Sequence, residues 1–278
     1  MPPAMTELSP DRWAAGDAYE AYMGRWSRVL ARVFLDWLDP PNASHWLEVG
    51  CGTGALAAAI CERYRPASLQ ACDPSQAFVD HARRNALDGC TFSVIGGPDT
   101  FPLREAGFDV VVSGLVLNFM PQPELALAAM RERTRPGGSV AAYVWDYAGG
   151  LEFLQHFWEE AIAVEPAAAE LDESRRFELW QAQALAASFR SAGLVDVSTD
   201  VLEMVTDFAD FDDYWRPFLG GSGPAPSYVA SLDSAQRDAL RTRLEERLVA
   251  DEDGHIRLRA RALAVRGVQP VRRVQSIP

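Results

Sequence analysis

The sequence has no run near the roughly 18 consecutive apolar residues that a bilayer crossing requires, and its start, MPPAMTELSPDRW, lacks a basic stretch followed by an apolar one. Neither a membrane span nor an export signal is expected, and the chain reads as a soluble cytoplasmic protein. Basic residues are in deficit: 26 stand against 39 acidic ones, for a formal net charge of -13. Such a surface repels a phosphate backbone unless a local basic patch overrides it. The densest basic cluster, Arg266, Arg272 and Arg273, falls at the end of the chain and reads as a solvated tail. Nucleic acid is therefore not an expected partner. Cysteine is also scarce. Cys51, Cys61, Cys72 and Cys90 include no CxxC pair, and no histidine stands at zinc spacing from them. Three of the four sit in apolar segments that suit a small buried side chain, so neither a disulfide framework nor a metal site is expected.

With 48% of its 278 residues hydrophobic, the chain can bury one large core. From Tyr19 to Leu38 apolar and aromatic residues recur at helical spacing, and Pro40-Pro41 stops the pattern. Five strand-like runs then alternate with helical stretches: His45 to Val49, Ser68 to Cys72, Thr91 to Ile95, Phe108 to Ser113 and Ser139 to Trp145. That alternation predicts right-handed βαβ crossovers and a doubly wound, mostly parallel sheet. In RTRPGGSVAAYVW, Pro136, Gly137 and Gly138 read as a helix stop before the fifth strand.

After Trp145 the rhythm breaks. Leu151 to Glu170 reads as helical, a regular helix is expected over Arg175 to Ala192, and strand-like runs follow at Leu194 to Val205 and Ile256 to Val265. The expected organisation is a helical cap over 1–43, a ligand-binding core over 44–146, a first insertion over 147–172, core again over 173–205, a second insertion over 206–253, a last core strand over 254–266 and a tail over 267–278. Parallel strands finish at one sheet edge, where such folds bind ligands. The two insertions are thus expected as a lid over that edge, the alternative being that they extend the core.

The strongest local signal is WLEVGCGTGAL, a strand that runs into a glycine-rich turn and then a helix. Gly50, Gly52 and Gly54 permit positive φ and a close backbone approach to a ligand, and the amides that open the following helix favour negative charge. Glu48 would help to arrange the turn, which also includes Cys51. Asp73, 19 residues beyond Gly54 in ACDPSQAF, ends the second strand. There a carboxylate can accept hydrogen bonds from both hydroxyls of a ribose, or it can cap the helix that begins near Ser75.

Through EVGCGTG, CDPSQAFVDHAR, FPLREAGFDVVVSGLVLNF and RPGGSVAAYVWD, the chain resembles the class I S-adenosylmethionine-dependent methyltransferases, and among them the group similar to the quinone-biosynthesis C-methyltransferases. The resemblance covers roughly Tyr19 to Val201. It implies a Rossmann-like sheet of seven strands whose last, Ile256 to Val265, is antiparallel and lies between the fifth and sixth. It also implies S-adenosyl-L-methionine as cofactor, with its methionyl part at Glu48 to Gly54, its ribose at Asp73 and its adenosine beside Pro74 and Ser75. Ser113, Gly114 and Leu115 would approach the methyl donor centre. The segment AYMGRWSR would close over the methionyl end through Tyr22 and Arg25, unless it is simply a packed helix. One position departs from the family: many relatives carry an acid for the adenine amine after the third strand, and here Gly97 stands there, with Asp99 two residues later.

Methyl transfer needs alignment more than acid-base chemistry, so no catalytic pair is obligatory. Candidates for a base are Asp146, Tyr147 and His156, the last set among Phe153, Phe157 and Trp158, where a structural histidine is equally at home. These rings, with Trp180, Tyr214, Trp215 and Phe218, would line a pocket for a small-molecule acceptor with an apolar or aromatic part, or else serve as helix core. The acids of the two insertions read either as a solvated face or as a preference for an amine-bearing acceptor. Two rival readings stay open: a nicotinamide-dependent oxidoreductase, because GCGTGA also fits a dinucleotide turn, and a module that binds the cofactor or a partner without turnover.

Overall fold

The computed structural model describes residues 19–85, 89–177, 180–221 and 223–271. Residues 1–18 of the expected cap, and Arg272 and Arg273 of the expected tail, lie outside the described residues. Seven strands form one sheet in the order β3-β2-β1-β4-β5-β7-β6. They are β1 His45–Val49, β2 Ser68–Asp73, β3 Cys90–Val94, β4 Phe108–Gly114, β5 Thr134–Trp145, β6 Val195–Phe208 and β7 Ile256–Val268. β1 pairs in parallel with β2 and β4, β4 in parallel with β5, and β7 antiparallel with β5. The doubly wound α/β expectation is borne out, including the reversed last strand between the fifth and sixth.

The described residues divide into two compact units, the first made of 24–146, 180–204 and 261–271 and the second of 19–23, 147–177 and 205–260. In the first unit the central strands β1, β4 and β5 carry apolar runs buried on both faces, whereas β3 and the start of β6 at the sheet edges are largely exposed. Leu47, Val49, Phe108, Val111, Val140, Ala142 and Val144 share one cluster with Leu127, Met130 and Phe189 of the flanking helices. The helix Arg25–Leu38 buries Trp26, Leu30, Phe34, Leu35 and Leu38, spaced three and four apart as one helical face requires. It ends where Asp39 turns left-handed at φ 44.

In the second unit the helix Glu152–Val164 stops at Glu165, because the residue before Pro166 is held in extended backbone (ψ 107), and a 3-10 turn Pro166–Glu170 follows. The helices Phe211–Trp215, Pro224–Ser231 and Ser234–Arg247 complete it. Its centre is aromatic: Phe157 stacks on Phe218 at 4.5 Å, and the buried Tyr214 hydroxyl donates to the Phe153 carbonyl at 2.8 Å.

Several local expectations are corrected. β5 starts at Thr134, not Ser139, because Phe108 pairs with Thr134 and Val110 with Ser139; Pro136-Gly137-Gly138 are a bulge inside the strand. The helix expected over 175–192 is instead a single turn, Glu173–Arg176, and a separate helix, Ala182–Ser191, since Gln181 ahead of the latter is extended (ψ 162). β7 continues past Val265 to Val268. Cys61 and Cys90 form a disulfide, against the expectation of none. Their separation of 29 positions matches no spacing rule; packing of the helix Ala55–Tyr64 near the start of β3 brings them together. Cys51 and Cys72 are free and buried. Among the described residues no helix is long and apolar enough to cross a membrane, and no group of three or more His, Cys, Asp or Glu is placed to hold a metal ion.

Candidate functional site

The chain winds outward from β1 through β2 to β3, then returns to lay β4 on the other side of β1. At that reversal the connections leave the strand ends in opposite directions and open a crevice, the usual ligand position in such sheets. The glycine turn leaves β1 here, and Ser113 to Leu115 leave β4 beside it.

The three glycines of the turn have positive φ: 76° at Gly50, 52° at Gly52 and 92° at Gly54. Their surroundings differ. A β-carbon on Gly50 would lie 2.3 Å from Val116 Cγ1, whereas one on Gly52 would meet nothing within 4 Å. Gly50 thus serves close packing of the chain against itself, and Gly52 borders open space. The Gly50 and Cys51 amides both donate to the Cys72 carbonyl, at 2.8 and 3.0 Å, which ties the turn to the end of β2.

Asp73 completes that tie. Its Oδ2 accepts from the Gly52 amide at 2.9 Å and its Oδ1 from the Ser75 amide at 2.8 Å. Burial raises its pKa, and the two amide donors partly offset this. Each oxygen keeps a second lone pair, enough for a ribose diol. Capping of the next helix falls to Ser75, whose Oγ accepts from the Phe78 amide at 3.4 Å; Pro74 is exposed. Glu48, 1% exposed, is pushed up to about 8 by burial and then by the charge of Asp73, so near pH 7 it is mostly a neutral acid that can donate. Its Oε2 has no hydrogen-bond partner. Burial also drives the Cys51 thiol well above its ordinary value, so that it is inert as a nucleophile.

Across the crevice, the Ser113 hydroxyl is fully buried and without a partner. Leu115 adopts φ 61, a strained value for a leucine, while its amide donates to the Tyr143 carbonyl at 2.8 Å. Three residues on, Asn118 is 8% exposed, and both its side-chain oxygen and nitrogen lack partners. The motif reading missed Asn118; the signal available was a lone amide in the apolar run LVLNF. Unpaired buried polar atoms cost about 1–3 kcal/mol each, and their concentration at the strand ends fits a polar ligand that would satisfy them. The cradle therefore fits an adenosine-bearing cofactor with an amino-acid end.

After β3, the amides of Gly96 and Gly97 both donate to Thr100 Oγ1, at 3.0 and 3.1 Å. A β-carbon on Gly97 would sit 3.3 Å from Asp99 Oδ1, so Asp99 folds its carboxylate back toward the position where the family's acid would branch. Arg25 belongs to the first unit and lies 4.3 Å over the Trp26 ring. Tyr22 belongs to the second unit, packed edge-on against Phe218 at 5.5 Å.

The three candidate bases divide between the two units. Asp146, in the first unit, accepts from Arg261 at 2.7 Å. Tyr147 and His156 belong to the second. His156 Nδ1 accepts from Arg247 Nε at 2.7 Å; burial and then this guanidinium lower its pKa, which keeps the ring neutral. The acidic run of the first insertion divides as well: Glu160 binds Arg243 and Arg247 at 2.7 and 2.8 Å, while Glu173 is 3% exposed.

Comparison with known proteins places part of the chain in a family and supports its fold. Residues 47–138 match the methyltransferase domain family. The chain is 36% identical to malonyl-[acyl-carrier protein] O-methyltransferase of Herminiimonas arsenicoxydans over 47% of each chain. It is 30% identical to the ubiquinone/menaquinone biosynthesis C-methyltransferase of Paracoccus denitrificans over 40% of this chain and 46% of that one. It spans less than half the length of the first curated relatives it matches. The structure of Haemonchus contortus phosphoethanolamine N-methyltransferase 2, held with phosphomonomethylethanolamine and S-adenosylhomocysteine, superposes with a TM-score of 0.55 at 14% identity, over 92% of this chain and 57% of that one. At that identity the likeness speaks for the fold alone.

Proposed function

We propose that this chain, whose residues 47–138 belong to the class I S-adenosylmethionine-dependent methyltransferase family, moves a methyl group from S-adenosyl-L-methionine to a small-molecule acceptor. The observation that carries the reading is the junction of Gly52 and Asp73: open space beside a left-handed glycine, with a buried carboxylate bonded to that glycine's own amide at 2.9 Å. When bound, the cofactor supplies an electrophilic methyl carbon on a sulfonium.

The chain's residues hold and orient. Asp73 would accept from the ribose hydroxyls with its remaining lone pairs, and Asp99 would take the adenine amine in place of the acid missing at Gly97. Glu48, Ser113 and Asn118 would satisfy their unpaired atoms on the polar methionyl end. A nucleophile aligned in this way can gain about 7–11 kcal/mol over the free reaction, so turnover does not require an acid-base pair. The second unit, rich in buried aromatic rings, would supply the surface that chooses the acceptor.

Calorimetric titration with S-adenosyl-L-methionine tests the assignment. Hydrogen bonds to charged groups contribute about 1.5–3 kcal/mol, so Asp73→Asn, which keeps the side chain's shape, should weaken affinity about 10- to 100-fold. Asp99→Ala should weaken it several-fold. Full affinity in both folded variants would overturn the placement.

A further inference from the structure

The Cys61–Cys90 disulfide joins two elements that border the cradle. Cys61 stands in the helix Ala55–Tyr64, which opens from the left-handed Gly54 of the turn. Cys90 is the first residue of β3, the strand that leads to Gly96, Gly97 and Asp99. The loop that the bond closes, 61–90, contains β2 with Asp73 at its end. The same elements meet beside the turn, where a β-carbon on Gly54 would lie 3.2 Å from Ala82 Cβ and 3.8 Å from Phe92 Cε1. β3 is an edge strand with β2 as its neighbour in the sheet, and it is largely exposed. An edge segment with little buried surface opens at low cost, so a covalent tie there changes its hold on the helix more than it would in the core.

The bond is also within reach of a reductant. Both cysteines are half-buried, and Cys90 lines a cavity of ≈ 120 Å³ together with Arg28, Thr53, Gly54, His81 and Phe92. A guanidinium in the wall favours the approach of a thiolate by its charge. The other two cysteines are withheld from exchange. Burial pushes the Cys72 thiol up to about 12 and the Cys51 thiol well above its ordinary value, so neither supplies the thiolate that would reshuffle the bond. Redox chemistry is thus confined to one pair, and disulfides open to solvent are the labile, regulatory kind.

We propose that the Cys61–Cys90 disulfide is a redox latch on the cradle: oxidised, it holds the helix start at Gly54 against β3 in the geometry that binds S-adenosyl-L-methionine, and reduced, it lets β3 draw away and affinity fall. The inference rests on the reading of the cradle as the site of that cofactor. The two electrons come from a dithiol. One thiolate of the reductant attacks Cys90 Sγ from the cavity, the S–S bond breaks, and Cys61 leaves as a thiolate that takes up a proton. The second thiolate of the reductant then attacks the mixed disulfide, Cys90 leaves and is protonated in turn, and the dithiol departs as a cyclic disulfide. Coupling between two sites is reciprocal, so bound cofactor should make the bond harder to reduce by the same factor.

The test is calorimetric titration of the whole protein with S-adenosyl-L-methionine before and after incubation with dithiothreitol, the bond being followed by mass spectrometry of linked and alkylated peptides. Reduction should lower affinity at least about fivefold, the lower end of the usual coupling between linked sites. Cys61→Ser and Cys90→Ser should both show the reduced-state affinity with or without dithiothreitol. Loss of a cross-link over 29 positions should also lower the melting temperature by about 4–16 °C. Where a serine variant fails to fold, the dithiothreitol series on the parent decides. Absence of the linked peptide, resistance of the bond to dithiothreitol in the native protein, or equal affinity in the two redox states overturns the inference. So does an equal dithiothreitol-induced drop in Cys61→Ser, which lacks the bond. Failure of the oxidised protein to bind S-adenosyl-L-methionine at all would instead remove the cofactor reading on which it rests.

Discussion

Gly50 and Gly52 sit two residues apart in one turn, both at positive φ, yet alanine at each should fail in a different way. The left-handed backbone costs an alanine about 1–2 kcal/mol at either position. At Gly52 nothing is added to this, because the new methyl group meets no atom within 4 Å. At Gly50 the methyl would stand 2.3 Å from Val116 Cγ1 and 3.1 Å from both Cβ and Cγ2, and overpacking of that kind costs about 1–3 kcal/mol more. The Gly50→Ala total is therefore about 2–5 kcal/mol, against about 1–2 for Gly52→Ala. At about 2–4 °C per kcal/mol for a chain of this size, Gly52→Ala should melt about 2–8 °C below the parent and Gly50→Ala about 4–20 °C below. Affinity for S-adenosyl-L-methionine should fall sharply in Gly52→Ala, whose methyl enters the ligand's space while the fold persists. Adding Val116→Ala to Gly50→Ala should recover part of the lost stability, because the two sites share one contact. The assays are differential scanning fluorimetry without ligand and calorimetry with it. Equal destabilisation at the two glycines, or undiminished cofactor affinity in Gly52→Ala, would refute the division of roles.

Two further outcomes follow from the buried polar groups. Glu48 and Glu173 are both held at about 8 in the fold, against an ordinary value of 4.5; the folded state therefore binds protons more tightly, and the stability they contribute is lost as pH rises from about 4.5 to about 8. The ligand-free protein should melt lower at pH 8 than at pH 5, and Glu48→Gln should flatten the slope; an unchanged slope would show that Glu48 is ionised in the fold. The depressed carboxyls of Asp109, Glu152 and Glu160 act in the opposite sense and below that window. Asn118→Leu removes two unpaired buried polar atoms, so it should melt at or above the parent while binding S-adenosyl-L-methionine several-fold more weakly; a variant that loses stability yet keeps full affinity would mean that Asn118 serves the fold.

What the sequence determined by itself is the part whose causes are local. Alternating apolar strands and amphipathic helices prescribe a doubly wound sheet, and a glycine turn followed by an acid at the end of the next strand marks the candidate site, because periodicity and φ preference act within a few residues. Tertiary structure alone decided the rest. Asp73 bonds an amide 21 positions away, and the Cys61–Cys90 disulfide spans 29. Glu173 belongs to a run of acids that reads as a solvated face, yet it is buried against Trp158. The strain at Leu115 and the unpaired atoms of Asn118 leave almost no mark on composition. Burial and unmet hydrogen bonds depend on which segments meet, and a linear pattern carries no distances between segments far apart in the chain.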